Sequence, residues 1–192
     1  MFNRINEQVL KNISLSEEEI SIFNSLLELK TVPKKTMLLH EGEICKFEAF
    51  VNKGCIRNYY IDGHGNEVVL QFAIEDWWVS DIASFHAHNP SNIFIETLED
   101  CELLVLSPQT KEELLAKVPK LERMFRLMVQ KNLSVLQNRF LKSITTSAQE
   151  KYVDFLKRYP TIPQRVAQHY IASYLGISAE FLSKVRTKMA KK

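Results

Sequence analysis

The feature that most constrains this 192-residue chain is a change of pattern along its length. Between about residues 37 and 106, short runs rich in β-branched and aromatic residues follow one another closely. Segments 41–43, 52–54 and 62–66 separate them and contain Gly or Asn, which accept positive φ. Short strands at this spacing, without helices between them, predict an antiparallel sandwich or barrel. The predicted strands are 37–39, 47–51, 55–61, 67–74, 93–98 and 102–106.

Helical signals flank this β-region. Ser16 and Glu19 have the spacing of a capping box before an N-terminal helix, and Ser107-Pro108 begins another helix that ends near 118. A third capping box, Ser147 with Glu150, opens the C-terminal part, where helices are predicted at about 166–175 and 179–190. The stretch 77–92 fits no strand and is expected to be a loop or a short helix.

Composition sets the class of protein. Apolar residues make up 45% of the chain and charged residues 25%, which is ordinary for a folded protein. No run approaches the roughly 18 apolar residues of a membrane span, and the N-terminus lacks the pattern of a signal peptide, so we expect a cytoplasmic protein. Cys45, Cys55 and Cys101 are too few and too scattered for a disulfide framework, a zinc site or an iron–sulfur cluster.

The segment 119–144 predicts one long helix with a wide apolar surface. Its apolar positions spread over roughly 200° of the circumference, whereas one buried face needs a stripe of about 100°. A second apolar face needs a second partner, and the simplest is the same helix of another subunit. We expect this dimer contact to be formed by Leu121, Phe125, Met128 and Val135. The alternative is a central helix buried in a monomer, which the charged positions of this helix disfavour.

Charge is distributed unevenly. Residues 1–142 hold 16 Lys and Arg against 20 Asp and Glu, whereas residues 143–192 hold 9 against 3. A basic C-terminal quarter on an acidic body predicts contact with an anion, of which nucleic acid is the most common. The alternative is a chance asymmetry.

The sequence 168–185 predicts a helix-turn-helix. Ala172 is small where two helices cross, and Gly176, four residues later, suits a turn that needs positive φ. Apolar residues recur at the spacing that packs two such helices together, namely Ile171, Leu175, Ile177, Leu182 and Val185. The alternative is an ordinary helical hairpin with a solvated polar face.

The last helix divides into two faces. We expect Phe181, Leu182, Val185 and Met189 to pack inward. The polar face can lie in a major groove, so the predicted DNA-binding residues are Ser178, Ala179, Glu180, Ser183, Lys184, Arg186, Thr187 and Lys188. Further basic residues placed to reach phosphates are Arg165, Lys191 and Lys192.

This order of elements resembles the Crp/Fnr family of bacterial transcription regulators, from about residue 15 to 190. The resemblance implies an α+β chain with a jelly-roll-like antiparallel β-roll sensor at 1–118, a dimerisation helix at 119–144 and a winged helix-turn-helix at 145–192. It implies a cytoplasmic homodimer that is not an enzyme and does not contact a membrane. The implied partners are double-stranded promoter DNA, RNA polymerase and an unidentified small-molecule effector.

The recognition helix departs from the family pattern at one position. The family often has Arg-Glu, with a second Arg four residues after the Glu, and the matching residues here are Ala179, Glu180 and Lys184. Glu180 can accept from a cytosine amino group and Lys184 can donate to guanine. Ala179 cannot form a hydrogen bond, so the preferred DNA site should differ from that of the Arg-bearing members.

The sensor departs further. Cyclic-nucleotide-binding members carry Gly-Glu, then Arg-Ser or Arg-Thr about ten residues later, whereas this chain has Ser80-Asp81 and Ser91-Asn92. Residues 58–110 contain no Lys or Arg, so a phosphate diester would be buried without a charge partner unless Arg57 supplied one. The candidate effector-pocket residues are Arg57, Trp78, Ser80, Asp81, Ile82, Ser91 and Asn92. We expect a divergent pocket that does not bind cyclic AMP in the usual way, and no cofactor.

Two other hypotheses remain open. One is a cyclic-nucleotide-responsive regulator in which Arg57 and Asp81 hold the ligand, which nucleotide titration would reveal. The other is a cupin-type metalloenzyme that uses His86, His88 and a carboxylate, which a metal assay would reveal. The second hypothesis leaves the helix-turn-helix and the basic C-terminal segment without a role.

Overall fold

The computed structural model describes residues 1–190, which form two compact units. The first unit comprises Met1–Asn58 and Phe72–Lys131. The second comprises Tyr59–Gln71 and the described chain from Asn132 onward, so the tip of one β-hairpin groups with the C-terminal helices. The boundary between the two units falls inside the long helix, between residues 131 and 132. The predicted division into three parts, at 118/119 and 144/145, instead follows the ends of that helix and stays a prediction.

The described residues contain eight strands in two four-stranded sheets. The strands are β1 (Glu28–Val32), β2 (Met37–Leu39), β3 (Glu48–Lys53), β4 (Ile56–Ile61), β5 (Glu67–Ala73), β6 (Trp78–Val79), β7 (Phe94–Thr97) and β8 (Cys101–Leu106). The sheet orders are β1-β8-β3-β6 and β2-β7-β4-β5. Strand β8 pairs antiparallel with both β1 and β3, and β2 pairs antiparallel with β7. The predicted antiparallel β-roll is confirmed.

Nine helices complete the described chain. They are α1 (Asn3–Leu10), α2 (Glu17–Ser25), α3 (Ile82–Ala87), α4 (Pro108–Lys117), α5 (Lys120–Thr145), α6 (Ala148–Arg158), α7 (Ile162–Arg165), α8 (Gln168–Leu175) and α9 (Ala179–Ala190). All three predicted capping boxes are formed around Ser16, Ser107 and Ser147. No helix in the described part of the chain has both the length and the apolar character that a membrane crossing requires.

Alternation along β3 and β8 builds two cores in the first unit, because successive side chains of a strand point to opposite faces. Ala49 and Val51 pack between the two sheets with Leu103. Phe50 faces the other way and packs with Leu104 in a second core, which the helices of this unit cover. The second core takes residues from α1, α2, α4 and α5 and from the loop after α4, including Ile5, Val9, Phe23, Leu114, Val118, Leu121, Met124 and Phe125.

Some elements differ from the sequence prediction. Strand β1 was not predicted, and its side chains are mostly exposed, so it shows no apolar alternation. The stretch 77–92 contains both the short strand β6 and the helix α3. Beyond β8 the described residues contain helices and connecting segments but no strand, so the wing implied by the resemblance is not among them.

Candidate nucleic-acid interface and sensor pocket

The helix pair α8–α9 has the geometry of a helix-turn-helix. Gly176 ends α8 in the left-handed region with φ of 69°, where a side chain would be strained. Its N–H donates to the Ser173 carbonyl at 3.0 Å, and the next N–H, of Ile177, donates to the Ala172 carbonyl at 3.1 Å. The inner faces of the two helices supply buried residues, namely Ile171, Ala172, Leu175, Leu182 and Val185.

The outer face of α9 is polar and open to solvent. Together with the beginning of α8 it lines an open groove whose residues are Gln168, His169, Ala179, Glu180, Ser183, Lys184, Thr187 and Lys188. Ser178 precedes the helix, and its hydroxyl accepts from the Phe181 N–H at 3.2 Å. The structure therefore brings the predicted DNA-binding residues together on or beside one helix face. Phe181 differs from prediction, since 49% of it is exposed rather than packed inward.

Side-chain contacts fix the electrostatics of this face. Arg186 donates to the side-chain oxygen of Gln168 at 3.2 Å, and the side-chain amide nitrogen of Gln168 donates to the Ala179 backbone carbonyl at 3.4 Å, which ties α8 to α9. The pKa of Glu180 lies below its ordinary value because its carboxylate accepts from its own backbone N–H, then from Ser178, and lies near the Lys184 charge. Glu180 is therefore an ionised acceptor at neutral pH.

Three further basic residues were predicted to reach phosphates. Arg165 is half-buried at the end of α7. Lys191 and Lys192 lie outside the described residues.

Asp81 and Ser91, two of the candidate effector-pocket residues, bond to each other. The Ser91 hydroxyl donates to Asp81 Oδ2 at 2.7 Å, and Ser91 is 2% exposed. The other Asp81 oxygen caps α3 by accepting from the N–H groups of Ala83 and Ser84. This arrangement presents a carboxylate, which already accepts three hydrogen bonds, to any anion that enters.

Arg57 is committed to a carboxylate. Its Nε donates to Glu96 Oε2 at 2.8 Å, and its Nη2 lies 2.6 Å from the same oxygen. Arg57 is 3% exposed, so the pair is shielded from solvent. A phosphate that recruited Arg57 would have to displace Glu96 and leave that carboxylate without its charge partner.

The remaining pocket candidates are dispersed. Ser80 donates to the Phe47 carbonyl at 2.9 Å, while Ile82 and Asn92 are exposed. Trp78 packs edge-on against Phe50 and Phe125 in the helix-covered core, at ring distances of 5.7 and 5.6 Å. Trp78 therefore lies on the helix-covered face of its sheet. The other face, toward the core between the two sheets, is the one that Val79 and Phe85 contact, close to Asp81 in the chain.

The two candidate metal-binding histidines do not form a cluster. His86 is exposed, and its Nε2 lies 3.8 Å from Glu48 Oε1. His88 adopts a left-handed conformation just after α3. Among residues 1–190, no group of three His, Cys, Asp or Glu is placed to hold a metal ion.

Three of the four predicted dimerisation residues belong to the first unit, and two of them are buried there. Leu121 is 0% exposed and Phe125 is 6% exposed, and both belong to the helix-covered core. Met128 packs against the same core, and Val135 is half-buried in the second unit. The prediction that Leu121 and Phe125 contact another subunit is wrong, because the helices and sheet of their own unit already cover them.

A different apolar stripe on α5 is exposed. It consists of Leu133, Leu136, Phe140 and Ile144, which are 54%, 58%, 67% and 69% exposed. Their spacing of three, four and four residues keeps them on one side of the helix, as in the seam of a coiled coil. The sequence shows that these positions are apolar, but it does not show which side of α5 is covered by the rest of the same subunit.

Comparisons with known proteins agree with this architecture. Residues 29–118 match the family described as cyclic nucleotide-binding domain. No curated protein matches the sequence.

Three bacterial structures share the fold at low sequence identity. The c-di-GMP-responsive global regulator CLP of Xanthomonas campestris is 17% identical, with 92% of each chain covered and a TM-score of 0.72. FixK2 of Bradyrhizobium japonicum is 16% identical, with 86% of this chain and 85% of the other covered and a TM-score of 0.72. A transcriptional regulator assigned to the Crp/Fnr family, from Eubacterium rectale, is 16% identical, with 92% and 85% covered and a TM-score of 0.67.

The matched segment spans β1 to the end of α4, and the structural likeness continues through the C-terminal helices. Residues 29–118 therefore match the cyclic nucleotide-binding domain family, and the chain shares its fold with these bacterial regulators.

Proposed function

We propose that this protein is a dimeric DNA-binding transcription regulator of the Crp/Fnr type. The observation that carries the proposal is the division of α9, whose Leu182 and Val185 pack inward while Glu180 and Lys184 face an open groove. A helix held in this way can enter the major groove of DNA without losing its own packing. This role places the protein in the bacterial cytoplasm, with promoter DNA and RNA polymerase as its partners.

Individual side chains suit different parts of the duplex. Lys184 can donate to the guanine acceptors of the major groove, and the ionised Glu180 can accept from a cytosine amino group. Ala179 offers only a methyl group, which can pack against a thymine methyl. Lys188 and Arg186 supply the positive charge that phosphate contacts require, and such contacts set the orientation of the protein on DNA.

Dimerisation is assigned to the exposed stripe of α5. Leu133, Leu136, Phe140 and Ile144 form an apolar seam that a second copy of the helix would cover, with burial of each side chain contributing about 1.5–3 kcal/mol. A two-fold dimer presents two copies of α9 to successive major grooves, about 34 Å apart. The DNA site should accordingly contain two inverted half-sites.

The β-roll is proposed to act without cyclic AMP. The phosphate would lose its hydration, meet the Asp81 carboxylate and gain no cation, since Arg57 is paired with Glu96. The same objection applies to cyclic di-GMP, to which the CLP protein responds, because it carries two phosphates. The cyclic-nucleotide alternative that uses Arg57 and Asp81 is therefore disfavoured by the partners these residues already have.

Selection from a pool of random DNA duplexes tests the proposal, because the target sequence need not be known. The wild-type protein should enrich duplexes with inverted half-sites. Lys184→Ala should weaken binding to the selected sequence by about 1–3 kcal/mol and relax the preference at one base pair per half-site. Arg186→Ala should weaken binding to all duplexes and reduce the salt dependence. If both variants bind as the wild type does, α9 is not the recognition helix.

A further inference from the structure

A cavity of about 720 Å³ lies within the second unit, on residues that the DNA contact does not use. Residues of α5, α6, the end of α8 and strand β5 line it. Among the described residues, it shares none with the groove on α9. Cavities of this size are typical of small-molecule sites.

The lining of this cavity carries an excess of positive charge. Five of the described lining residues are Lys or Arg and one, Asp154, is acidic. Asp154 pairs with Lys142 at 2.5 Å. Lys151 donates instead to the Ser143 carbonyl at 2.9 Å, and a neutral carbonyl leaves its charge in place. The field in the cavity therefore favours an anion.

Arg139 adds a fixed cation to the cavity wall. Its guanidinium donates to the carbonyls of Leu70, Val69 and Tyr174 and stacks over the Tyr174 ring, 3.9 Å from the centroid. Its partners in these bonds are uncharged peptide carbonyls, so they orient the guanidinium without neutralising it. A cation oriented beforehand binds an anion at a smaller entropic cost than a mobile lysine.

Apolar residues also line the cavity, together with the polar side chains of Asn138, Ser143 and Ser173. Val68, Val135, Phe155 and Leu175 contribute hydrophobic surface beside the cations. A hydrated inorganic ion would leave this surface unused, whereas an anion attached to an aromatic or aliphatic body would bury it. We propose that this cavity binds a small organic anion of that kind.

The position of the cavity gives such a ligand a route to the DNA contact. Helix α8 supplies the cavity with residues at its C-terminal end and supplies the α9 groove with Gln168 and His169. Ser173 at the cavity donates to the Glu67 carbonyl at 2.6 Å and accepts from the Val69 N–H at 2.9 Å, which fixes α8 to strand β5. A ligand seated there contacts both α8 and β5, so its binding would change how firmly α8 is held. This consequence rests on the proposed function, but binding of the anion does not.

The test is a fluorescence titration of the full chain without DNA. The probe is 8-anilinonaphthalene-1-sulfonate, an aromatic sulfonate, and the matched neutral probe is N-phenyl-1-naphthylamine. Lys151→Gln should weaken binding of the sulfonate about threefold and Asp154→Asn should tighten it about threefold, which is the effect of one unit charge at about 6 Å in a water-like dielectric. Affinity for the neutral probe should be the same in both variants.

Lys131→Gln is the control, because it removes the same charge from an exposed position of α5 outside the cavity. The proposal is overturned if the sulfonate binds wild type, Lys151→Gln and Asp154→Asn alike, or if Lys131→Gln weakens it as much as Lys151→Gln. The proposal is also overturned if the variants change the affinity for the neutral probe as much as the affinity for the sulfonate. Such a result would mean that the substitutions alter the exposure of apolar surface and not the recognition of charge. If Lys151→Gln weakens binding to duplex DNA but not to the sulfonate, the Lys and Arg residues of the cavity serve DNA binding, and the proposal is overturned as well.

Discussion

The two units of the molecule use their charged residues differently. In the first unit, Lys111 bonds to Glu48 at 2.6 Å and Arg57 to Glu96, and three of these four residues are at least 94% buried. In the second unit, Lys184, Arg186 and Lys188 are exposed on α9. Charges paired inside a unit are unavailable to ligands, and loss of one partner destabilises the fold, whereas exposed cations remain available for an anionic partner.

Helix α5 shows the same contrast for apolar residues. Its first turns bury Leu121 and Phe125 in the first unit, and its last turns expose Leu136, Phe140 and Ile144. The residue types are alike, so their surroundings decide their roles. The buried set stabilises one subunit, and the exposed set is available to a second copy.

The largest predicted effect tests the internal pairing of the first unit. Lys111→Ala should lower the free energy of unfolding by about 3–5 kcal/mol, because it leaves the Glu48 carboxylate buried without its partner and removes a cation lying 4.5 Å from the Phe125 ring centroid. Urea denaturation measures this. Lys117→Ala is the control on the same helix, where an exposed pair with Glu113 should be worth no more than about 0.5 kcal/mol. Equal losses in both variants would show that burial does not distinguish the two pairs.

The exposed stripe of α5 should give the next largest effect. Leu136→Glu should raise the dimer dissociation constant about 100-fold or more, because two leucines per dimer lose about 1.5 kcal/mol or more each. Sedimentation equilibrium measures this. Gln137→Glu adds the same charge at an exposed neighbouring position and should leave the dimer intact. Dissociation by both variants would indicate general charge repulsion rather than loss of the seam.

The pairing of Arg57 with Glu96 and of Ser91 with Asp81 predicts weak binding of cyclic AMP. Calorimetry should give a dissociation constant above about 1 mM, which is a binding free energy of less than about 4 kcal/mol. Combining Ser91→Arg with Ser80→Gly and Asp81→Glu should raise the affinity more than any single change. It adds the missing cation, and removal of the Ser80 side chain lets the phosphate approach the backbone. A micromolar dissociation constant in the wild type that Arg57→Ala abolishes would instead support the cyclic-nucleotide alternative.

Helix caps should give the smallest effect and compare the two units directly. Ser107→Ala removes a cap on α4 in the first unit and should cost about 1 kcal/mol of global stability. Ser147→Ala removes the same motif on α6 in the second unit, where the cap is exposed, and should mainly speed hydrogen exchange at the start of that helix. Similar global losses in urea for both variants would show that the two units unfold together.

Much of the fold follows from local sequence signals. The turn sequences marked the ends of the predicted strands, although only the 62–66 turn joins two neighbouring strands, β4 and β5. The capping boxes at Ser16, Ser107 and Ser147 predicted helix starts, because each depends on residues three apart. The helix-turn-helix was found for the same reason, since Ala172 and Gly176 act within a short segment. Strand β1 was missed because its exposed side chains carry no alternation.

The exposed side of α5 and the partners of the candidate pocket residues were harder to predict. Leu121 and Leu136 are equivalent in sequence, and only the packing of helices far away in the chain covers the first. The partner of Arg57 is 39 residues away on another strand, so the sequence could not show that its charge is already used. The cavity beside Arg139 likewise depends on α5, α6, α8 and β5 meeting in space.

The central claim is that two subunits, joined through the exposed half of α5, place two α9 helices on one DNA duplex. Native mass spectrometry of the protein with a duplex enriched by selection tests it directly, because it counts chains per duplex. The account predicts two chains per duplex for the wild type and weaker binding, as single chains, for Leu136→Glu. A wild-type complex with one chain per duplex, or a Leu136→Glu complex that keeps two chains with unchanged affinity, would contradict it.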